Sequence, residues 1–392
     1  MSERPDWAII GLSMLQVCAL GTLYAWSVLI APVQSEYGVS RTATGLVFSL
    51  SITIFTLAVT AAPRLFSARR TIIAGALSTL IGAIGLFAAA AAPTFIVFTL
   101  SYAGIFALAS GLGYASGLQI AVAAGGARSG LATGMVITAF ALGAVLFGPL
   151  ISYISAVEGL AFALSTQAAI LAVIAILSLA MQRGRPSFQR RFPAIARKSP
   201  HADARAVQRG LVWILWMGFA FGAAGGLMVL GHAAGMVAAQ GGNLALAGLA
   251  VSLVAAGNAT GRLSAGPLAD WVGARLVLVL SALLLALATG TMAAVPGALP
   301  AAVALALAGL AYGLMATGYP VAVNHLFGPE LFGRIYGRVI TAWGLAGLVA
   351  PLAAGWLYDL TGDYRLPLLL ACLAAVVSAA IAFALGRRST TP

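Results

Sequence analysis

The sequence predicts an all-α membrane protein: twelve transmembrane helices in two six-helix, pseudo-symmetric bundles. Three observations predict it. The 392 residues are 61% hydrophobic and 8% charged, with a mean hydropathy of +1.03, whereas a soluble domain carries about 25% charged residues. Apolar runs of bilayer-spanning length recur along the whole chain. Two stretches also repeat at one offset, 203 residues. Gly45-Leu-Val-Phe-Ser-Leu50 returns as Gly248-Leu-Ala-Val-Ser-Leu253, and Gly130-xxx-Gly134-x-Val-Ile-Thr-Ala-Phe140 as Gly333-xxx-Gly337-x-Val-Ile-Thr-Ala-Trp343. Two separate matches at one offset argue for duplication.

The runs fall at 7–33, 42–62, 71–91, 94–122, 130–153, 158–181, 210–238, 244–268, 275–296, 299–327, 334–358 and 365–386. The first is too long for a signal-peptide core and no small-residue cleavage site follows, so it is expected to stay as a membrane helix. The 46 glycines suit close helix packing in lipid. A polar, basic, Pro-containing stretch at 182–209 divides a first bundle (1–181) from a second (210–392). It reads as a topology-setting cytoplasmic linker.

The net charge of +12 has a topological cause rather than a nucleic-acid partner. With the N-terminus inside, the inner segments carry Arg4, Arg64, Arg69, Arg70, Arg128, eight bases from Arg183 to Arg209, Arg275, Arg334, Arg338, Arg387 and Arg388. The outer loops carry only Arg41 and Arg365. This bias places both termini in the cytoplasm, with the chain in a bacterial-type inner (plasma) membrane. Cys18 and Cys372 lie in apolar helices far apart in sequence, which suggests neither a metal site nor a disulfide framework. No cofactor or metal is expected.

Arg262 is the remaining base, and it sits inside the eighth run. A charge at membrane depth is costly and marks a pathway or binding site. Arg262 precedes Asp270 by eight residues, so it lies about 12 Å deeper along a helix. Asn258 is one turn away on the same face. A structural role, bonding helix-end carbonyls or snorkelling, is the weaker reading at that depth. No Asp or Glu is expected within the spans; Asp359 and Asp363 fall at the outer end of the eleventh. A lone guanidinium without buried carboxylates wants an anion, and its fork matches a carboxylate. Tyr24, Tyr114, Tyr319 and Trp343 are mid-helix aromatics able to line such a path. His232 is able to titrate near neutral pH, although a lone His is more often structural. Asn324 and His325 fall nearer a gate, and Pro149 and Pro351 read as kinks. No catalytic constellation, phosphate loop or dinucleotide fingerprint appears, so an enzyme is not expected. Repeats of this kind place substrate near the midplane between the halves, with access alternating as they rock.

The stretch Gly266-x-Leu-x-Asp270-x-x-Gly273-x-Arg275 resembles the cytoplasmic loop motif of the major facilitator superfamily. It reads as a gating turn in which the Asp caps the next helix or pairs with an Arg. Its counterpart, Ala62 to Arg70, keeps the bases but lacks the Asp. Gly21-Thr-Leu-Tyr24-Ala-Trp26-Ser-Val, Gly226-Leu-Met-Val-Leu-Gly-His232, Asn258-Ala-Thr-Gly-Arg262 and Tyr336-Gly-xxx-Thr341-Ala-Trp-Gly resemble the oxalate:formate antiporter family, itself similar to monocarboxylate transporters. The resemblance implies that Arg262 binds substrate carboxylate and that Tyr24 and Trp343 line the site. Tyr114 and Tyr319 are looser counterparts. The family's oxalate carrier has a lysine just after that tryptophan, whereas Trp343-Gly-Leu-Ala346 has none. This favours a monocarboxylate unless His232 supplies a second charge.

The expectation is therefore a secondary transporter of small organic anions, monocarboxylates first, partnered by a proton or a counter-anion. It is expected to work as a monomer in the bilayer without nucleic acid. The alternatives are an oxalate/formate-type exchanger and an exporter of neutral or drug-like compounds.

Overall fold

The computed structural model describes residues 5–65, 71–125, 129–183 and 209–388. Among them are twelve helices long and apolar enough to cross a membrane. The first six are α1 (Trp7–Val28), α2 (Arg41–Ala62), α3 (Ile73–Ala90), α4 (Phe95–Ala121), α5 (Gly134–Val157) and α6 (Leu160–Met181). The others are α7 (Gly210–Ala239), α8 (Leu244–Val272), α9 (Ala274–Ala294), α10 (Ala298–Phe327), α11 (Ile335–Thr361) and α12 (Arg365–Leu385). The chain is a multi-pass membrane protein. Most of the basic linker, the end of the Ala62 to Arg70 loop, Arg4 and Arg128 lie outside the described residues.

Short polar side chains begin several helices where the backbone N–H groups need acceptors. Asp6 Oδ1 accepts from Ile9 N (3.3 Å), Thr94 Oγ1 from Val97 N (3.3 Å) and Asn243 Oδ1 from Leu246 N (2.9 Å). The helix Ala298–Thr361 is assigned as one element of 64 residues, yet it holds both α10 and α11. The indole of Trp343 donates to the Tyr312 hydroxyl at 2.6 Å, across 31 residues. On a straight helix those residues would be about 46 Å apart. The chain therefore folds back between them, and α10 and α11 are neighbours.

The chain forms two compact units: Met1–Val39 with Leu50–Arg197, and Ser40–Ser49 with Lys198–Pro392. In the first, glycines let α1 and α5 meet backbone to backbone. A Cβ on Gly21 would run into the Phe140 carbonyl oxygen, and one on Gly143 into that of Cys18. Two helices of this unit are irregular. α1 tightens to a 3₁₀ helix over Gly21–Val28, and α4 widens to a π-helix over Leu100–Phe106. Trp26 and Tyr102 join these segments, their rings 4.9 Å apart. The buried Tyr102 hydroxyl finds no hydrogen-bond partner among the described residues. A buried hydroxyl in that state destabilises by about 1–3 kcal/mol. Tyr102→Phe is expected to raise stability by about 1 kcal/mol, read as a higher thermal transition in detergent. A lower transition would contradict this.

In the second unit, α8 and α10 pack through two Gly-xxx-Gly faces, a pattern that lets helices approach closely in lipid. Gly257 and Gly261 face the Ala306 and Leu310 carbonyls, while Gly309 and Gly313 face those of Val254 and Asn258. The first turn of α2 belongs to this unit. Asp359 of α11 accepts from Arg41 N (3.0 Å), Thr42 N (2.7 Å) and the Thr42 hydroxyl, which caps that turn.

Two expectations need correction. α8 does not break into a turn at Gly266; it continues through Pro267 to Val272, and the turn comes at Gly273, whose φ is +86°. Only the N–H that Pro267 lacks is lost from the ladder, and Gly273 tolerates the left-handed φ that ends it. Second, Asp270 and Asp359 lie within α8 and α11, although only in their last turns. The helices α5 and α11 continue unbroken through Pro149 and Pro351.

Candidate functional site

In the second unit, Arg262 and Asn258 stand one turn apart on α8. Asn258 is fully buried and Arg262 half-buried. The Arg262 Nε donates to Asn258 Oδ1 at 2.9 Å. This fixes both groups: the amide oxygen faces the guanidinium, so the amide nitrogen must point elsewhere. That nitrogen, Nδ2, is buried without a hydrogen-bond partner among the described residues. A buried polar atom of this kind calls for an explanation, and a ligand is one. The close approach of α10 holds the segment still. A Cβ on Gly313 would overlap the Asn258 carbonyl oxygen and lie 3.0 Å from Arg262 N.

Trp343 of α11 and Tyr319 of α10 are also buried in this unit. The Trp343 indole bonds Tyr312, a fully buried residue that sequence reasoning missed. The available signal was its place between Gly309 and Gly313 on the face that packs against α8. Tyr319 stacks on Phe219, with centroids 4.4 Å apart.

His232 belongs to a different cluster. Its Nε2 lies 2.9 Å from the Pro351 carbonyl oxygen, and its Nδ1 lies 3.1 Å from the Tyr364 hydroxyl. The carbonyl only accepts, so Nε2 is the donor; in the neutral ring Nδ1 then accepts from Tyr364. Burial pushes the Tyr364 hydroxyl above the usual phenol range, which keeps it a donor. Seven residues separate His232 from the end of α7, and eighteen separate Arg262 from the start of α8. Their depths from that connected end are thus about 10 Å and about 27 Å. The structure does not bring His232 to Arg262.

The gating residues are also spread out. Asp270 is exposed, and Gly266 has nothing within 4 Å of an added Cβ. Arg275 Nη2 donates to the Phe383 carbonyl at 2.6 Å, and its guanidinium lies over the Phe383 ring. It therefore ties the start of α9 to α12.

In the first unit, Tyr24 and Tyr114 share one aromatic cluster. Phe140 contacts Tyr24 at 4.9 Å, Tyr114 at 5.3 Å and Phe55 at 5.3 Å; Phe55 contacts Tyr114 at 5.6 Å. Sequence reasoning missed Phe55 and Phe140. The 203-residue offset pairs Phe55 with Asn258 and Phe140 with Trp343. Corresponding positions are aromatic in the first unit and include a buried amide in the second.

Comparisons with known proteins bear on the fold. The chain superposes on a bacterial homolog of the human lysosomal transporter Spinster, solved inward-facing and occupied, with a TM-score of 0.72, 14% identity and 97% of each chain covered. It superposes equally on a D-xylose-proton symporter (0.72; 15% identity; 96% of this chain, 97% of that one). The nucleoside transporter NupG gives 0.72 at 16% identity, with 96% and 98% covered. Residues 215–392 match the sequence model of the Major Facilitator Superfamily. The fold is that of the Major Facilitator Superfamily. An uncharacterized 38 kDa protein from the 23S RNA operon of Thermoproteus tenax is 29% identical over 361 residues, 91% of this chain and 90% of that protein. A homolog of a lysosomal transporter, a sugar symporter and a nucleoside transporter thus share this fold. The two units carry unlike chemistry on it: an aromatic cluster in the first and an oriented guanidinium–amide pair in the second.

Proposed function

We propose that the chain is a secondary transporter of small organic anions, with monocarboxylates as the preferred class. It works by alternating access, and Arg262 anchors the carboxylate. The observation that carries this reading is the orphaned Asn258 Nδ2 beside a guanidinium that Asn258 itself orients. A carboxylate has enough lone pairs to accept from both groups, and charge-assisted bonds of this kind are the strong ones. The aromatics Trp343 and Tyr319 of the same unit supply apolar walls for a short carbon chain. The place of His232 supports a monocarboxylate over oxalate, because the second cation that oxalate needs is not at Arg262. Asp270, Gly273, Gly266 and Arg275 serve the cytoplasmic gate, with the 182–209 linker inside and both termini in the cytoplasm. The protein acts as a monomer in an inner membrane.

Uptake into proteoliposomes tests this. Labelled lactate and oxalate are compared, each with and without a pH gradient and an internal counter-anion. Gradient-stimulated lactate uptake that excludes oxalate is expected. Oxalate uptake that needs an internal anion would replace this reading with an exchanger. Indifference to every acid, with export of hydrophobic compounds, would replace it with a neutral-compound exporter.

A further inference from the structure

Tyr312 stands where three helices come together. It lies on α10 between Gly309 and Gly313, the residues that press on α8 at Val254 and Asn258. Its ring rests on α7 at Gly226, where a Cβ would overlap the ring and lie 2.9 Å from the Cβ of Tyr312. Its hydroxyl receives the Trp343 indole N–H from α11 at 2.6 Å. An indole nitrogen only donates, so the tyrosine oxygen is the acceptor. With Tyr312 and Trp343 both buried, losing that acceptor leaves the indole N–H to find another by rotating.

We propose that Tyr312 is a positioning residue for the organic-anion site. It holds the Trp343 ring in register with the α8 segment that carries Asn258 and Arg262, and so sets how tightly substrate binds. This rests on the proposed reading of Arg262 and Trp343 as substrate residues. Phenylalanine keeps the ring and its packing against Gly226 and removes the hydroxyl, and with it the acceptor of the indole N–H.

The test is a double-mutant cycle on the full chain in proteoliposomes, with thermal unfolding in detergent alongside. Tyr312→Phe is expected to raise KM for the preferred acid about tenfold, with Vmax within about twofold. Trp343→Phe should raise KM similarly, and the double variant should be no worse than Trp343→Phe alone, the signature of one shared interaction. Tyr312→Phe should lower the thermal transition only where Trp343 is present. A lowered transition with an unmoved KM shows a purely structural bond and overturns the proposal. Additive KM effects overturn it too. Wild-type protein that moves no organic acid overturns the functional reading and this assignment together. Wild-type transport with an unmoved KM in Tyr312→Phe overturns this assignment alone.

Discussion

Arg262→Ala is expected to abolish organic-acid uptake while leaving the folded protein intact. The guanidinium is half-buried, and its Nε bond to Asn258 stays within one turn of α8, so the backbone of the helix does not depend on that bond. The substrate does. Removing one partner of a desolvated, hydrogen-bonded charge pair typically costs about 2–5 kcal/mol. At about 1.4 kcal/mol per factor of ten, that lowers uptake at low substrate by roughly 30-fold to several thousand-fold. Arg262→Lys should recover little, because an ammonium lacks the planar fork and cannot hold the Asn258 oxygen while gripping a carboxylate bidentately. Asn258→Leu should fall between, since it removes the orienting oxygen and the amide donor but leaves the charge. Initial rates in proteoliposomes, normalised to reconstituted protein, measure all three. Uptake within about threefold of wild type in Arg262→Ala would place the anchor elsewhere.

The sequence made some of this legible and hid the rest, for physical reasons. Helices that span lipid must satisfy their backbone internally and face hydrocarbon outside. Their positions are thus written in local composition, and the twelve spans could be read directly. Arg262 was legible because a charge at that depth is anomalous wherever its neighbours lie. Asn258 followed from helical spacing alone. Tyr312 was hidden because its importance comes from partners on α7 and α11, 86 residues before it and 31 after. Its one local mark is its place between Gly309 and Gly313. The surroundings of His232 were hidden for the same reason. Its chemistry is ambiguous in sequence, and its two bonds, to Pro351 and Tyr364, come from distant segments. The end of α8 was misplaced because Gly266-Pro267 carries the composition of a turn. Inside a helix, one proline removes one hydrogen bond, and in a packed membrane bundle neighbouring groups make that tolerable.

Gly313→Val is expected to be the most damaging single change to the fold. α8 and α10 meet with no side chain between them at this point. An added Cβ would overlap the Asn258 carbonyl oxygen and crowd Arg262 N at 3.0 Å. The obstacle is backbone, so no rotamer change relieves it; the helices must separate, and they lose their dispersion contacts along the whole Gly-xxx-Gly face. Overpacking a tight core costs about 1–3 kcal/mol and occasionally more; a β-branched side chain against backbone belongs at or above the top of that range. Separation would also carry the Asn258–Arg262 pair, whose bond is internal to α8, away from α10, so any protein that folds should have lost transport. Gly266→Ala on the same helix is the control, since a Cβ there meets nothing within 4 Å. Alanine should be near neutral, because its better helix propensity is opposed by the crowding that Pro267 imposes on a Cβ in the residue before it. Size-exclusion chromatography and thermal unfolding in detergent separate the two. Gly313→Val should be aggregated or strongly destabilised, while Gly266→Ala melts near wild type. A monodisperse Gly313→Val with the wild-type transition would mean that α8 and α10 do not approach as closely as described.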